Sequence, residues 1–147
     1  MAGPNFDHFD REVADAFVRI HKEQTGLPKF LGLRVEEVDA GRMVVTIDAR
    51  KEFHNPFGTM HGGVIAGLVD HVLGAVLYPV IPRGHWAATT EFKLNYLAPV
   101  REGSVRAEAS IISMTKRTAV VRVEVTNEGR PVCAAQGTVL IQQPKGE

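Results

Sequence analysis

The chain has 147 residues, 44% hydrophobic and 23% charged, ordinary usage for one globular domain with a buried core. Lys plus Arg and Asp plus Glu stand at 17 each, so the chain lacks the basic excess of a general nucleic-acid surface, although a small basic patch for one phosphorylated ligand remains compatible. Its one cysteine, Cys133, leaves no internal disulfide, and residues 1–10 hold Asp7 and Asp10 but no apolar signal-sequence core; the expectation is a cytoplasmic protein.

Neither a repeat nor a linker divides the sequence, which reads as a single domain over 1–147, with residues 1–30 as an N-terminal helix and lead-in. Phe9, Val13, Phe17 and Ile20 recur at helical spacing and predict a helix from about Asp7 to Gln24, stopped by Gly26 and Pro28. Two strands follow, about Leu31 to Val38 and Arg42 to Ala49, with Asp39-Ala40-Gly41 as a tight turn. Lys51 to Met60 holds Asn55, Pro56 and Gly58 and is irregular.

A second helix starts at His61-Gly62-Gly63 and runs to about Leu77, where Tyr78-Pro79 ends it. It is apolar nearly all round and is expected to be buried on almost every side. Asp70, His71 and Pro79 interrupt its apolar run, which reads as too short and too polar to cross a bilayer, so no membrane partner is expected. The last third is all strand, and 131–142 reads as the final one. Segments 87–97, 104–112 and 119–126 set Val, Ile, Ala, Phe, Leu or Tyr against charged or polar residues, the pattern of an antiparallel sheet with one buried face. A long one-faced sheet and one wholly apolar helix imply an α+β fold with the sheet wrapped round the helix.

Asp70 stands in the most apolar segment of the chain. Burying an unpaired carboxylate costs several kcal/mol, so such a residue must find a partner or have a use. Alone, it is equally well read as an interface aspartate held by a hydroxyl or a backbone N–H. His61-Gly62-Gly63 leaves backbone N–H groups bare at a helix N-terminus, a construction that holds a carbonyl oxygen turning into an oxyanion. Alone, it is a plain glycine-rich helix entry. Gly62 and Asp70 lie about 12 Å apart along a helix, whereas a base and an oxyanion donor must both stand about 3 Å from one carbonyl. If both are catalytic, one comes from each of two copies of the chain.

Asn55-Pro56-Phe57-Gly58-Thr59-Met60-His61-Gly62-Gly63, then Leu68-Val69-Asp70, resembles the hotdog-fold thioesterases of the phenylacetyl-CoA thioesterase (PaaI-like) group. Phe92 to Pro99 and Gly137-Thr138 are similar to that group's later strands, and the resemblance spans about Leu31 to Gln142. It implies hydrolysis of an acyl-CoA thioester, with Asp70 as nucleophile or general base and Gly62 as oxyanion donor. His61 and Gly63 stand beside the donor, Asn55 near the thioester, and Thr89 where relatives carry a Ser or Thr that positions water. It also implies a homodimer at least, with tetramers common, and no cofactor beyond the CoA of the substrate.

A thioester has an electrophilic carbonyl and a good leaving group, so a carboxylate and an oxyanion hole suffice without a metal. His8, His21, His54, His71 and His85 show no metal-ligand spacing, and His71 reads as structural. Lys116-Arg117 sits in a tight turn, where it is either an ordinary charged turn or a contact for a CoA phosphate. Trp86 and Tyr96 read as packing residues. Two other readings stay open: a non-catalytic acyl-CoA-binding hotdog domain, and a hotdog hydratase, whose Asp or Glu with a His a few residues on is matched poorly by Asp48 and His54.

Overall fold

Asp10 starts the first helix. In the computed structural model, which describes residues 4–20 and 23–146, its carboxylate accepts the Val13 N–H at 3.2 Å and caps α1 (Arg11–Arg19). The cap explains why α1 begins four residues later than expected: Asp10 has extended backbone, so Phe9 lies before the helix. The expected end of this helix includes residues 21–22, and His21 with them, which lie outside the described residues. Gly26 and Pro28, read as a stop, instead open a second short helix, α2 (Gly26–Leu31). Pro28 falls in its first turn, where a missing N–H breaks no helical bond.

Arg83 clamps the start of α1, donating to Asp10 at 2.6 and 3.1 Å and to Glu12 at 2.6 Å. The Arg83 hydrogen bond, aided by the Val13 N–H, holds the Asp10 carboxyl down to about 2 from its ordinary 3.8. A depressed folded-state pKa stabilises above the ordinary value and is lost as pH falls through the folded one. Asp10→Asn, which keeps a capping oxygen but loses the charge, should therefore lower the thermal midpoint near neutrality. Its gap from the wild type should narrow as the pH drops from about 5 to about 3, as scanning calorimetry at both would show.

Six strands follow: β1 (Arg34–Asp39), β2 (Arg42–Asp48), β3 (Trp86–Tyr96), β4 (Ser104–Met114), β5 (Thr118–Asn127) and β6 (Arg130–Gln142). They form one antiparallel sheet in the order β1-β2-β4-β5-β6-β3. β4 and β5 alternate buried and exposed residues as their sequences require. Outward charges of β1, β2 and β4 pair: Arg42 meets Glu37 and Glu108, both at 2.8 Å, and Arg106 meets Glu108 at 2.7 Å. Such surface pairs contribute little each.

The long helix, α3 (Gly62–Ala75), lies in the cradle of the sheet and packs on β2 through β6. Leu68, Val69, Val72 and Leu73 are fully buried against Val45, Ile47, Ala107, Ala109, Val121 and Val139. Each such side chain contributes about 1.5–3 kcal/mol by leaving water. With its following turn, Gly62–Val80 is long and apolar enough by composition to cross a bilayer, contrary to the reading above, and more than half of it is buried inside the fold.

β6 crosses α3 at Gly137, where a Cβ would stand 2.6 Å from the Glu91 carbonyl oxygen and 3.1 Å from a Leu73 methyl. Only glycine lets β3, β6 and α3 meet this closely. Opposite this crossing β3 carries a bulge between Thr89 and Glu91, and the extra residue, Thr90, donates its hydroxyl to the Thr138 carbonyl at 3.0 Å. A bulge re-aims the side chains beside it, and the one beside it here is Thr89.

The expectation that α3 is buried almost all round fails along one stripe. Gly63 and Asp70 are exposed, and Ala66, Gly67 and Gly74 are half-exposed. These residues recur every three or four positions, so they share a face, and the chain's own sheet covers the other faces. Asp70 is therefore not buried within one copy of the chain.

Candidate active site

The loop before α3 is built around Asn55. Its side-chain oxygen accepts the N–H groups of Phe57 at 2.9 Å and Thr59 at 3.3 Å, and its amide donates to the Thr59 hydroxyl at 2.8 Å. A residue that bonds its own loop in this way sets a turn without help from secondary structure. The Asn55 N–H also donates to the Thr59 carbonyl at 2.7 Å, and the His61 N–H to Phe53 at 2.7 Å. The loop thus delivers His61 to the N-cap of α3.

There the His61 Nδ1 accepts the Gly63 N–H at 2.8 Å. Nδ1 must then be unprotonated, so a neutral ring carries its proton on Nε2. The bond also separates the two glycines. Gly63 gives its N–H to His61, whereas among the described residues the Gly62 N–H has no protein acceptor. It remains a bare donor at the positive end of α3.

Tyr96, at the far end of β3, lies over this glycine. Its hydroxyl donates to the Gly62 carbonyl at 2.7 Å, and a Cβ on Gly62 would stand 2.7 Å from the tyrosine ring. A residue read from sequence as packing is thus the brace of the helix start. The period-two pattern of β3 carries no sign of this, because the partner is a backbone carbonyl 34 residues away. Tyr96→Phe keeps the ring and loses the bond; it should cost about 1 kcal/mol of stability and lower kcat several-fold, read by thermal melting and steady-state kinetics.

The polar residues fall into two clefts. Asn55, Thr59 and Gly62 share one with Ile65 and Tyr96 through Val100. Asp70 and Thr89 share another with His71, Gly74, Ala75, Tyr78, Ala87 and Phe17. His71, read as structural, thus borders the Asp70 cleft, and burial lowers its pKa against the opposing pull of Asp70. Lys116 lines a third cavity with His8 and His85 that shares no residue with either cleft, and Arg117 sits in the β4–β5 turn.

The residues of the hydratase reading are engaged elsewhere. Asp48 accepts two bonds from Arg34, each 3.0 Å, which lower its pKa, and the His54 Nε2 is 2.9 Å from the Arg101 carbonyl oxygen. Cys133 is buried, and its thiol is pushed up to about 11, leaving almost no thiolate near neutrality.

A family model described as "Thioesterase superfamily" matches residues 57–134, more than half of the chain. The chain belongs to this superfamily. The match takes in α3, with Gly62 and Asp70, and β3, with Thr89, but not α1. Among its relatives, a 1,4-dihydroxy-2-naphthoyl-CoA hydrolase of Listeria monocytogenes is 28% identical over 82% of this chain and 98% of its own. A putative esterase of Halobacterium salinarum is 31% identical over 80% of each. In fold, the chain matches the PaaI protein of the Escherichia coli phenylacetic acid degradation operon with a TM-score of 0.79, at 22% identity over 92% of this chain and 96% of that one. This is the hotdog fold, and the thioesterase-superfamily chain is an enzyme, a thioester hydrolase.

Proposed function

We propose that this enzyme hydrolyses an acyl-CoA thioester to free acid and CoA at a site completed by a second copy of the chain. The observation that carries the reading is the separation of the bare Gly62 N–H and the Asp70 carboxylate into two clefts of one chain. Two such chains, related by a two-fold axis, bring the Gly62 cleft of each to the Asp70 cleft of the other. The exposed stripe of α3 and the unpaired edge of β3 are the surfaces for this pairing. Small residues along the stripe leave room for close approach, and an open strand edge is a ready template for a second strand. Further pairing of dimers would make the tetramer.

In this site the thioester oxygen points at the Gly62 N–H. Asp70 either attacks the carbonyl carbon, giving an anhydride that water cleaves, or takes a proton from a water that attacks. In both routes negative charge grows on the oxygen facing Gly62, the C–S bond breaks, and the thiolate leaves to become CoA after protonation. Thr89 positions the water, His61 fixes the helix start, and Asn55 holds the loop that carries it. Lys116 and Arg117 are assigned to a CoA phosphate. The reaction needs no cofactor beyond the substrate's own CoA, and the protein works in the cytoplasm. Similarity to a naphthoyl-CoA hydrolase supports the CoA ester.

Thiol release from a panel of acyl-CoAs, run beside light scattering, tests this reading. Hydrolysis of at least one ester by a dimeric or larger species is expected. A protein that hydrolyses none, or is active as a monomer, overturns it.

A further inference from the structure

The Asp70 cleft continues past its polar end. One helical turn beyond Asp70, about 6 Å along α3, stands Gly74, followed by Ala75, and Ala87 of β3 faces them. A Cβ on Gly74 would still lie 3.8 Å from the Ala87 methyl, so this floor is low and apolar. Two aromatic rings close the far end: Tyr78, from the turn after α3, and Phe17, from α1, with ring centroids 6.0 Å apart and planes tilted by 39°.

Both rings are held in place by neighbouring elements. The Ala87 N–H donates to the Tyr78 hydroxyl at 3.4 Å, tying that ring to β3. α1 is pinned at its start, where the Asp10 N–H donates to the Pro79 carbonyl at 2.7 Å and the Asp10 carboxylate pairs with Arg83. Phe17 thus reaches the cleft from a helix that the superfamily match does not include.

We propose that α1 supplies the end wall of the acyl pocket, and that Phe17, backed by Tyr78, limits the substrate to a compact apolar acyl group. The inference rests on the proposed catalytic role of Asp70. A thioester carbonyl held between Asp70 and Thr89 directs its acyl group along the Gly74–Ala87 floor and against these rings. Phe17 touches the acyl end and not the reacting atoms, so it sets which ester is accepted.

The test compares kcat/KM for hexanoyl-CoA, benzoyl-CoA and decanoyl-CoA in the wild type, Phe17→Ala and Phe17→Trp. Opening the wall should raise the decanoyl-to-hexanoyl ratio about 10-fold, and thickening it should lower the ratio and depress benzoyl-CoA hydrolysis. A general loss of stability cannot move a substrate ratio in opposite directions in two variants. Ratios that stay within about twofold of the wild type in both variants, or that move the same way in both, overturn the wall. Asp70→Asn is the parallel control. If it is inactive while the ratios stay flat, the catalytic reading survives and the wall fails; if it stays active while the ratios diverge as expected, the wall survives and the catalytic reading fails.

Discussion

Asp70→Asn should lower kcat by at least ~10²-fold on whichever acyl-CoA the wild type hydrolyses best, with the fold unchanged. The side chains are nearly the same size, and Asp70 is exposed in one chain with no hydrogen-bond partner among the described residues, so the substitution removes no intramolecular bond. Its effect falls on the chemistry: an amide neither attacks a thioester carbonyl usefully nor takes a proton from water near neutrality. KM should move far less than kcat, because in the proposed mechanism the carboxylate acts on the transition state and contributes little to holding CoA. Thiol-release kinetics and a thermal melt on the same preparation check both halves. A variant that melts like the wild type and turns over like it would make Asp70 an interface aspartate and move the catalytic role to another group.

Much of the architecture was legible because one-faced strands write their burial into a period of two. The alternation of Val121, Val123 and Val125 against Arg122 and Glu124 returns in the burial of β5, and the apolar run after Gly63 returns as the helix inside the sheet. The misreadings have local causes. Gly26 and Pro28 signal a stop by composition, yet both residues suit the first turn of a new helix, so α2 went unseen. The apolar character of α3 suggested burial on all sides, but periodicity cannot tell a face covered by the chain's own sheet from one left for a second molecule. Gly63, Ala66, Gly67 and Gly74 look like core residues in sequence and form an open stripe in space.

The candidate site divides the same way. His61, Gly62 and Asp70 lie close in sequence on one helix, so motif and spacing could find them. Tyr96, Phe17 and Tyr78 enter through tertiary contacts: a hydrogen bond to a backbone carbonyl, a helix docked by an ion pair, a ring on a turn. None of these leaves a periodic mark. The bulge at Thr90, which aims Thr89 beside Asp70, is equally silent in the alternation of β3.

Mixing two inactive variants should restore activity. Gly62→Ala places a methyl 2.7 Å from the Tyr96 ring, which must shift the helix start and its N–H; a loss of about 10²-fold is expected, in line with removal of one oxyanion donor. Asp70→Asn abolishes the other half. In a two-fold dimer of one Gly62→Ala chain and one Asp70→Asn chain, one site receives both substitutions and the other receives neither. Hetero-dimers isolated with two different tags should therefore show about half the wild-type kcat per dimer, although each homodimer is nearly dead. Were Gly62 and Asp70 of the same chain to act together, each site in the hetero-dimer would carry one defect, and mixing would restore nothing. The two outcomes differ by more than an order of magnitude, so a single purified hetero-dimer decides between a shared site and a self-contained one. The geometry of α3 favours the proposed shared site, because eight residues of helix set the donor and the carboxylate about 12 Å apart along the axis, about twice the span open to two groups that each stand about 3 Å from one carbonyl.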